Sequence, residues 1–313
     1  MSKNMINGNS RVVAIGGGHG LGRLLASFDF LEDRLTGIVA TTDNGGSTGR
    51  LREETGCIAW GDLRNCLSQL TKEKDLKSLL FDYRFQQDTG SLEGHSLGNI
   101  MLLALDEISA RPMETLNVFR EFFNIQSKII PMTEEPAHLA ACSSDGCEVF
   151  GEVNIDAQEI IPESLQIVPQ VSATKEAVNA IEEADLILMG PGSFLTSVLP
   201  PLLIPELSQA INNSRAPKVL IANMVAEDGP TGNISLKEKL VWMERQIGVS
   251  IIDAIIWPKS RVLKGEAPES LMLADLLYGG HERLHDRDKL VKAVNTVYSA
   301  LINENSIQSL KAS

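Results

Sequence analysis

The chain lacks the features that identify several large classes of protein. It has 313 residues and four cysteines, none of which forms a Cys-x-x-Cys pair, so we expect reduced thiols rather than disulfides. No apolar run reaches the ~20 residues that a membrane-spanning helix needs, and the polar first ten residues contain no apolar signal core. We therefore predict a cytoplasmic protein without a membrane span.

Positive charge is also scarce. Lysine and arginine total 28 residues against 41 aspartates and glutamates, which gives a net charge of −13. Nucleic-acid binding normally needs a basic face, so we predict no nucleic-acid partner. A local basic pocket for a phosphate remains open. The hydrophobic content of 43% is enough for a sizeable core.

What the chain does contain is a strand, a glycine turn and a helix near its start. Arg11 to Ile15 is apolar with β-branched residues and predicts a buried strand. Gly16-Gly17-Gly18-His19-Gly20-Leu21-Gly22 follows, and residues 23–28 predict a helix. Glycines let the backbone approach an anion, and the free N–H groups of a helix start point at it. This pattern predicts a phosphate cradle, although it matches neither the full dinucleotide fingerprint nor a P-loop.

A second polar loop follows the next predicted strand, Leu35 to Thr42. It reads Asp43-Asn44-Gly45-Gly46-Ser47-Thr48-Gly49-Arg50 and supplies a carboxylate, an amide, hydroxyls and a guanidinium. If the two strands are neighbours in a parallel sheet, both loops open on one crevice at its carboxyl edge.

Two helix starts are further candidates for that crevice. In the first, Asp62 is a candidate cap, and Arg64 and Asn65 either face the crevice or are solvated. In the second, the turn Gly94-His95-Ser96-Leu97-Gly98-Asn99 places His95 where a helix dipole meets an anion.

A later stretch repeats the logic of the first loop. Gly190-Pro191-Gly192-Ser193 directly follows a predicted strand at residues 185–189, and Asn223 ends the next strand. Two such cradles favour a ligand with more than one phosphate.

The alternation of strands and helices predicts an α/β fold. We expect a Rossmann-like three-layer αβα domain over residues 11–303, with a mostly parallel sheet, between a disordered tail (1–10) and a polar tail (304–313). Residues 128–156 predict an inserted antiparallel β-hairpin, with strands at 128–132, 137–142 and 147–155 and a turn at 143–146. The α/β alternation is predicted to resume at Leu165. The edge of the hairpin could cover the site or pair with a second copy, so a homodimer is one option.

Taken together, the ordered loops resemble the gluconeogenesis-factor family, YvcK-like proteins of the CofD-like superfamily that are relatives of phospholactate transferase. The resemblance covers almost the whole chain and is closest to the proteobacterial branch, which has histidine in the first loop. It rests on Gly16–Gly20, Asp43–Arg52, Gly61–Cys66, Arg84-Phe85, Gly94–Asn99, Gly151-Glu152, Ala184–Ile187 and Gly190–Ser193.

The resemblance implies a cytosolic regulator that binds uridine-diphosphate sugars and acts in carbon metabolism, envelope synthesis and cell shape. The implied nucleotide-binding residues are Gly17, Gly18, His19, Gly20, Asn44, Gly45, Gly46, Ser47, Arg50, Asp62, Arg64, Asn65, His95, Asn99, Gly190, Gly192, Ser193, Thr196 and Asn223. In this assignment the first loop and Gly192-Ser193 hold the two ends of the diphosphate, and Asn223 contacts the ribose or sugar.

Two departures from the family pattern bear on this site. Many members have two adjacent aspartates where this chain has Asp43-Asn44, and Mg²⁺, the one cofactor to consider, favours clustered oxygen charge. The family often ends with Arg-His-Asp, whereas Leu284 precedes His285 here. A phosphate-clamping arginine is therefore expected to be missing or displaced.

Other functions stay open. A transferase acting on a nucleotide diphosphate conjugate would use Asp43 as a catalytic residue, to hold Mg²⁺ or orient an acceptor hydroxyl, with Arg50, Arg64 and His95 stabilising charge on the phosphate. A nicotinamide-dependent oxidoreductase would rest on the opening glycine turn alone. The five histidines lack the spacing of metal ligands.

Overall fold

A parallel sheet of seven strands forms the centre of the fold in the computed structural model, which describes residues 5–72, 75–143, 146–268, 270–279 and 281–311, with side chains as far as residue 303. The strands of the described chain are β1 (Val12–Gly16), β2 (Leu35–Val39), β3 (Lys128–Pro131), β4 (His138–Cys142), β5 (Glu148–Phe150), β6 (Ser164–Val168), β7 (Leu186–Met189), β8 (Lys218–Ile221), β9 (Ala254–Pro258), β10 (Leu271–Ala274), β11 (Leu277–Tyr278) and β12 (His281–His285). The α-helices are α1 (Gly18–Ser27), α2 (Gly46–Thr55), α3 (Trp60–Leu70), α4 (Leu76–Asp82), α5 (Leu97–Asp106), α6 (Pro112–Phe122), α7 (Glu152–Asp156), α8 (Lys175–Glu182), α9 (Leu199–Leu202), α10 (Pro205–Asn213), α11 (Leu236–Ile247) and α12 (Arg287–Lys311). Short 3₁₀ turns cover Asp29–Arg34 and Gly90–Leu92, and a π-helical turn covers Phe194–Val198.

The strand order of the sheet is β10-β9-β8-β7-β1-β2-β3, and every neighbouring pair is parallel. All residues of β1, β2, β7 and β9 are buried, as expected for strands that are covered on both faces. The chain runs outward from β1 to β3 and returns on the other side of β1 as β7. This reversal between β1 and β7 marks the usual ligand crevice of an open parallel sheet. The predicted α/β, Rossmann-like fold is confirmed.

Two helices near the crevice begin earlier than the sequence predicted. Helix α1 begins at Gly18 rather than Arg23, and α2 takes in residues 46–55, the first five of which were predicted as loop. Glycine is a poor helix former in a helix interior, so the glycine runs hid both starts. The consequence is that both polar loops are first turns of helices, with ordered N–H groups at the sheet edge.

The predicted hairpin is part of a separate antiparallel sheet with the order β5-β4-β6. Residues 128–132 do not belong to it, because β3 pairs with β2 in the main sheet and buries Ile129 and Ile130. The strand predicted over residues 147–155 ends at Phe150 and gives way to α7. The strand predicted near Leu165 is β6, which pairs with β4 rather than with the main sheet. Residues 144 and 145, in the predicted turn, lie outside the described residues.

Both predicted tails are partly built into the fold. The side chain of Ile6 is 6% exposed, and its N–H donates to Asn295 Oδ1 at 2.9 Å. This contact with α12 corrects the predicted disorder for the described residues of that tail, since a buried apolar side chain anchors it. The predicted polar tail continues α12 as far as Lys311.

No single helix of the described residues is long and apolar enough to cross a membrane. The helical segments Phe194–Leu202 and Pro205–Asn213 reach that length only as a pair, and they are bent by 79° at their junction.

Candidate functional site

A cavity of about 490 Å³ lies at the carboxyl edge of the sheet, where the strand order reverses. Five of the predicted ligand residues line it, namely His19, Gly20, Gly192, Ser193 and Asn223. Six lining residues with polar side chains were not predicted, namely Arg23, Asp156, Glu227, Asp228, Arg283 and His285. The cavity is within the size range of small-molecule sites, about 300–1,000 Å³.

The two glycine loops meet at this edge. A Cβ atom added to Gly20 would lie 2.5 Å from the carbonyl oxygen of Pro191. Only glycine therefore allows the first turn of α1 to approach the second loop this closely.

Asp62 lies beneath the first loop rather than in the cavity. A Cβ added to Gly18 would lie 3.0 Å from Asp62 Oδ1, and Gly17 is packed as closely. Burial, with the nearby charge of Asp43, raises the pKa of Asp62 to about 7, although hydrogen bonds from Gly18 and Asn65 oppose the shift. Asp62 is thus a carboxyl group that exchanges a proton near neutral pH, next to the backbone predicted to hold phosphate.

Arg64 and His19 lie near each other on opposite sides of the first loop. Arg64 is 9% exposed and donates to Asp82 Oδ1 at 3.0 Å and to Asn65 Oδ1. Burial, with the charge of Arg64, lowers the pKa of His19. His19 is therefore neutral at physiological pH and can both donate and accept a hydrogen bond.

Ser47 connects the starts of two helices. Its Oγ lies 3.1 Å from His95 Nδ1 and accepts hydrogen bonds from the Ser96 N–H and the Asn99 side-chain amide, both at 3.2 Å. Arg50 donates to the carbonyl oxygen of Glu93 at 2.7 Å. These predicted ligand residues are brought together, but they bind α2 to the start of α5 and none of them lines the cavity at the strand reversal.

Asn44 holds the inserted region against the crevice. Its Oδ1 accepts the N–H of Val153 at 3.1 Å in the first turn of α7, so the amide acts as a helix cap. Its side chain packs on Gly151, whose φ of +86° favours glycine. Helix α7 in turn brings Asp156 into the cavity wall. The insertion therefore covers the site, one of the two roles considered for it.

The second glycine loop, predicted as a phosphate cradle, is occupied by the protein's own side chains. Asn223 forms two hydrogen bonds with the backbone of Gly192, at 2.9 and 2.8 Å. The hydroxyls of Ser193 and Thr196 both donate to Asp156, at 3.2 and 3.0 Å.

The backbone N–H that follows Ser193 also donates to an acceptor within the protein. Phe194 N–H donates to Glu227 Oε2 at 2.8 Å. Two carboxylates therefore fill the positions where the sequence predicted phosphate, because a helix start attracts the nearest anion, including one from its own chain.

One wall of the cavity is basic. Arg23 donates from Nε to the carbonyl oxygen of His285 at 2.8 Å, and its guanidinium lies over the Tyr278 ring at 4.9 Å. Arg283 also lines the cavity, so the arginine that the sequence suggested was missing or displaced is present two residues before His285. Burial lowers the pKa of His285 to about 4. As a neutral ring it donates from Nε2 to the Ala222 carbonyl oxygen at 3.0 Å.

Another part of the wall is acidic and is formed by Asp156, Glu227 and Asp228. Burial raises the pKa of Asp156, with a further contribution from Glu227, against the hydrogen bonds from Thr196 and Ser193. The cavity thus has one cationic wall and one wall of hydrogen-bond acceptors.

The sequence of this chain matches that of known proteins. The sequence profile of the family described as "2-phospho-L-lactate transferase CofD" matches residues 12–300. The chain belongs to the CofD family. A family member from Pasteurella multocida, named "Putative gluconeogenesis factor", is 47% identical over 292 residues, which are 93% of this chain and 94% of the relative. The "Gluconeogenesis factor" of Listeria monocytogenes is 39% identical over 244 residues, 78% of this chain and 76% of that relative. The predicted likeness to the gluconeogenesis-factor branch is confirmed.

A solved structure from the same family has the same fold. It is a crystal structure of a UPF0052-family protein from Bacillus halodurans, with a TM-score of 0.83 and 29% identity over 90% of this chain and 98% of that chain.

In this CofD-family chain, carboxylates also gather around Asp43. A Cβ added to Gly61 would lie 2.9 Å from Asp43 Oδ2. Burial raises the pKa of Glu152 well above its usual range, with additional repulsion from Asp62, Asp43 and Asp156. Even so, no group of three or more histidine, cysteine, aspartate or glutamate side chains in the described chain is placed to hold a metal ion.

The residues missed by sequence reasoning differ in how they could have been found. Arg23 lies four residues after His19, on the same face of a helix that begins at Gly18, so an earlier helix start would have revealed it. Asp156 could not have been found this way, because its position depends on how the inserted sheet packs.

Proposed function

We propose that the protein is a cytosolic binder of nucleoside-diphosphate sugars, specifically UDP-sugars, that regulates carbon metabolism, envelope synthesis and cell shape. The observation that carries the proposal is the polarity of the cavity, with arginines on one wall and carboxylates on the other. A nucleotide sugar has the same division, since it joins an anionic diphosphate to hydroxyl-rich sugars.

The basic wall is the phosphate end of the proposed site. Arg23 and Arg283 flank the first glycine loop, and a guanidinium suits a phosphate because its N–H groups form a planar fork. The first turn of α1 adds backbone donors beyond the Gly18 N–H, which already donates to Asp62. The second loop contributes shape rather than charge, because Asp156 and Glu227 already take its donors.

The acidic wall is the hydroxyl end of the proposed site. A carboxylate accepts hydrogen bonds and repels phosphate, so Asp156 and Asp228 favour the ribose or the sugar over the diphosphate. In this orientation Asn223 shapes the Gly192 backbone rather than contacting the sugar, which revises the role first assigned to it.

A divalent cation fits the site only with help from the ligand. Asp43 and Asp62 offer two carboxylates, and the described residues provide no third acidic or histidine ligand. Mg²⁺ commonly completes its shell with substrate phosphates and water. When bound, it would neutralise phosphate charge beside Asp62.

Calorimetric titration with UDP-N-acetylglucosamine, with and without Mg²⁺, tests this proposal. We expect binding to the wild-type protein and about tenfold weaker binding to Arg283→Gln, a loss of about 1.4 kcal/mol. Arg215→Gln is the matched control, since Arg215 is exposed and precedes β8 at the opposite edge of the sheet. Equal affinity of the Arg283 and Arg215 variants would remove Arg283 from the site.

The proximity of Asp43 and Asp62 favours a second candidate, a phospholactate-transferase-like enzyme. An acceptor hydroxyl would give its proton to Asp43 while its oxygen bonds to the phosphorus atom and the P–O bond to the departing nucleoside monophosphate breaks. Incubation of the nucleotide conjugate with Mg²⁺ and a hydroxyl acceptor separates the two candidates. Release of nucleoside monophosphate supports the transferase, and intact nucleotide supports the binder.

A further inference from the structure

The loop after β8 holds the second glycine loop at two points. Asn223 binds the backbone of Gly192, and Glu227 accepts the N–H of Phe194 at 2.8 Å. Both loops line the cavity. We refer to residues 224–232 as the strap, because they run along the cavity wall between β8 and α11.

Glu227 is fixed by a lysine outside the cavity. Lys239, in α11, donates from Nζ to Glu227 Oε1 at 2.8 Å, and the two side chains are 8% and 14% exposed. Thr231 donates to the other oxygen, Oε2, at 3.1 Å. The carboxylate therefore receives an ammonium, a hydroxyl and a backbone N–H, while Lys239 does not itself line the cavity.

The strap has little freedom to move by itself. Gly229 has a φ of +92°, and its packing against the backbone of Asp156 leaves no room for a side chain. Gly232 packs equally closely against the carbonyl oxygen of Glu227. The strap, α7 and the second glycine loop are thus joined through Glu227 and Asp156.

We propose that Lys239 is a positioning residue for the ligand: through Glu227 it fixes the distance between the strap and the second glycine loop, and so the width of the cavity. The inference rests on the proposed function, because it assigns this ion pair a role in nucleotide-sugar affinity. A ligand binds more tightly to a cavity that is already shaped for it, since less ordering is needed on binding.

The electrostatics of a buried pair make the inference testable. Removing one partner leaves the other charge uncompensated, whereas removing both charges costs much less. Other charged groups act on the pair, namely Asp156 on Glu227, Arg261 on both partners and Lys264 on Lys239. Burial lowers the pKa of Lys239, and Glu227 opposes that shift.

The experiment compares Lys239→Met, Glu227→Gln and the double variant with Lys237→Met. Lys237 is the control because it lies in the same helix and pairs at the surface with Glu266, with exposures of 67% and 87%. Two quantities are measured: affinity for UDP-N-acetylglucosamine between pH 5.5 and 8, and hydrogen exchange of the Phe194 amide in the free protein.

For Lys239→Met at pH 8 we expect about tenfold weaker binding, equivalent to about 1.4 kcal/mol, and faster exchange at Phe194. The double variant should recover most of the affinity at every pH, and Lys237→Met should match the wild type. A pair that acts on stability alone would change neither the affinity nor the exchange at Phe194.

Two results overturn the inference, and they can be told apart. If the wild type binds the ligand but Lys239→Met has unchanged affinity or unchanged exchange at Phe194, the positioning role alone is refuted. Absence of wild-type binding refutes the proposed ligand and the positioning role together.

Discussion

The two glycine loops follow the same sequence pattern but differ in how far the protein's own side chains cover them. Each follows a buried strand and leads into a helical turn at the same edge of the sheet. The first loop begins α1 at Gly18, whose N–H donates to Asp62, and its N-cap residue, Gly17, has no side chain to cap the helix. The second is covered by Asn223, Asp156 and Glu227. A strand–glycine–helix pattern thus predicts a place that attracts an anion, but not whether that anion comes from a ligand or from the protein.

The largest effect is expected where the two loops touch. Gly20→Val places side-chain atoms against the Pro191 carbonyl and forces the loops apart. We expect a loss of about 1–3 kcal/mol in the free energy of unfolding and a loss of nucleotide-sugar binding. Chemical denaturation and calorimetry measure the two effects. Gly8→Ala is the control, because no atom lies within 4 Å of the added Cβ, and unchanged binding by Gly20→Val would mean that loop contact does not shape the site.

The next effect is a pH dependence of stability that comes from Asp62, beneath the first loop. The pKa of Asp62 is raised to about 7 in the folded chain from 3.8. Between these values the folded chain keeps a proton that the unfolded chain releases, so this group makes the protein less stable as pH rises from about 4 to 7. Because one pKa unit is worth about 1.4 kcal/mol, Asp62→Asn should be more stable than the wild type by a few kcal/mol at pH 8.

Denaturation curves at pH 4 and pH 8 measure this difference. The variant and the wild type should converge at pH 4, where both side chains are neutral. A constant difference at both pH values would show that Asp62 titrates normally.

A smaller effect is expected at the second loop. Asp156→Asn keeps the size of the side chain but removes the charge that accepts the Ser193 and Thr196 hydroxyls. Hydrogen bonds to charged groups are worth about 1.5–3 kcal/mol, so we expect a loss of about 1–2 kcal/mol in stability. Denaturation at pH 7 measures it. If the variant is as stable as the wild type or more stable, the Asp156 carboxylate does not stabilise the fold.

The smallest effect should come from the link between α2 and the insertion. Asn44→Ala removes the cap on α7, which should cost about 1 kcal/mol of stability. The affinity for the nucleotide sugar should stay nearly unchanged. Thermal denaturation with a parallel titration checks both. Asn212→Ala, at an exposed position in α10, is the control. A large loss of affinity would make Asn44 a ligand contact, as the sequence first suggested.

The sequence predicted the sheet well because its signal is local. Val12 to Ile15 and Leu186 to Met189 are short apolar runs, and both are fully buried strands. Helix starts were less well predicted, since Gly18 and Gly46 disfavour helix in any propensity scale and yet begin α1 and α2. Gly18 and Gly46 adopt positive φ angles of +56° and +46°, and Gly20 allows the close approach to Pro191.

The sequence predicted the location of the candidate site and several of its residues, but not the carboxylates that bind the second loop. His19, Gly192 and Asn223 do come together at the cavity. Asp156 and Glu227 were missed because they meet the second loop across 37 and 33 residues of sequence. Contacts at such separations leave no periodic signal in the sequence. Only the folded chain therefore shows that internal carboxylates bind the second glycine loop.

One measurement tests the contrast between the loops most directly: hydrogen exchange at single-residue resolution with and without saturating UDP-N-acetylglucosamine. We expect new protection of the amides of His19 and Gly20 and no change at Gly18 or Phe194, whose N–H groups already donate to Asp62 and Glu227. New protection at Phe194 with none in the first loop would contradict it and place the phosphates on the second loop.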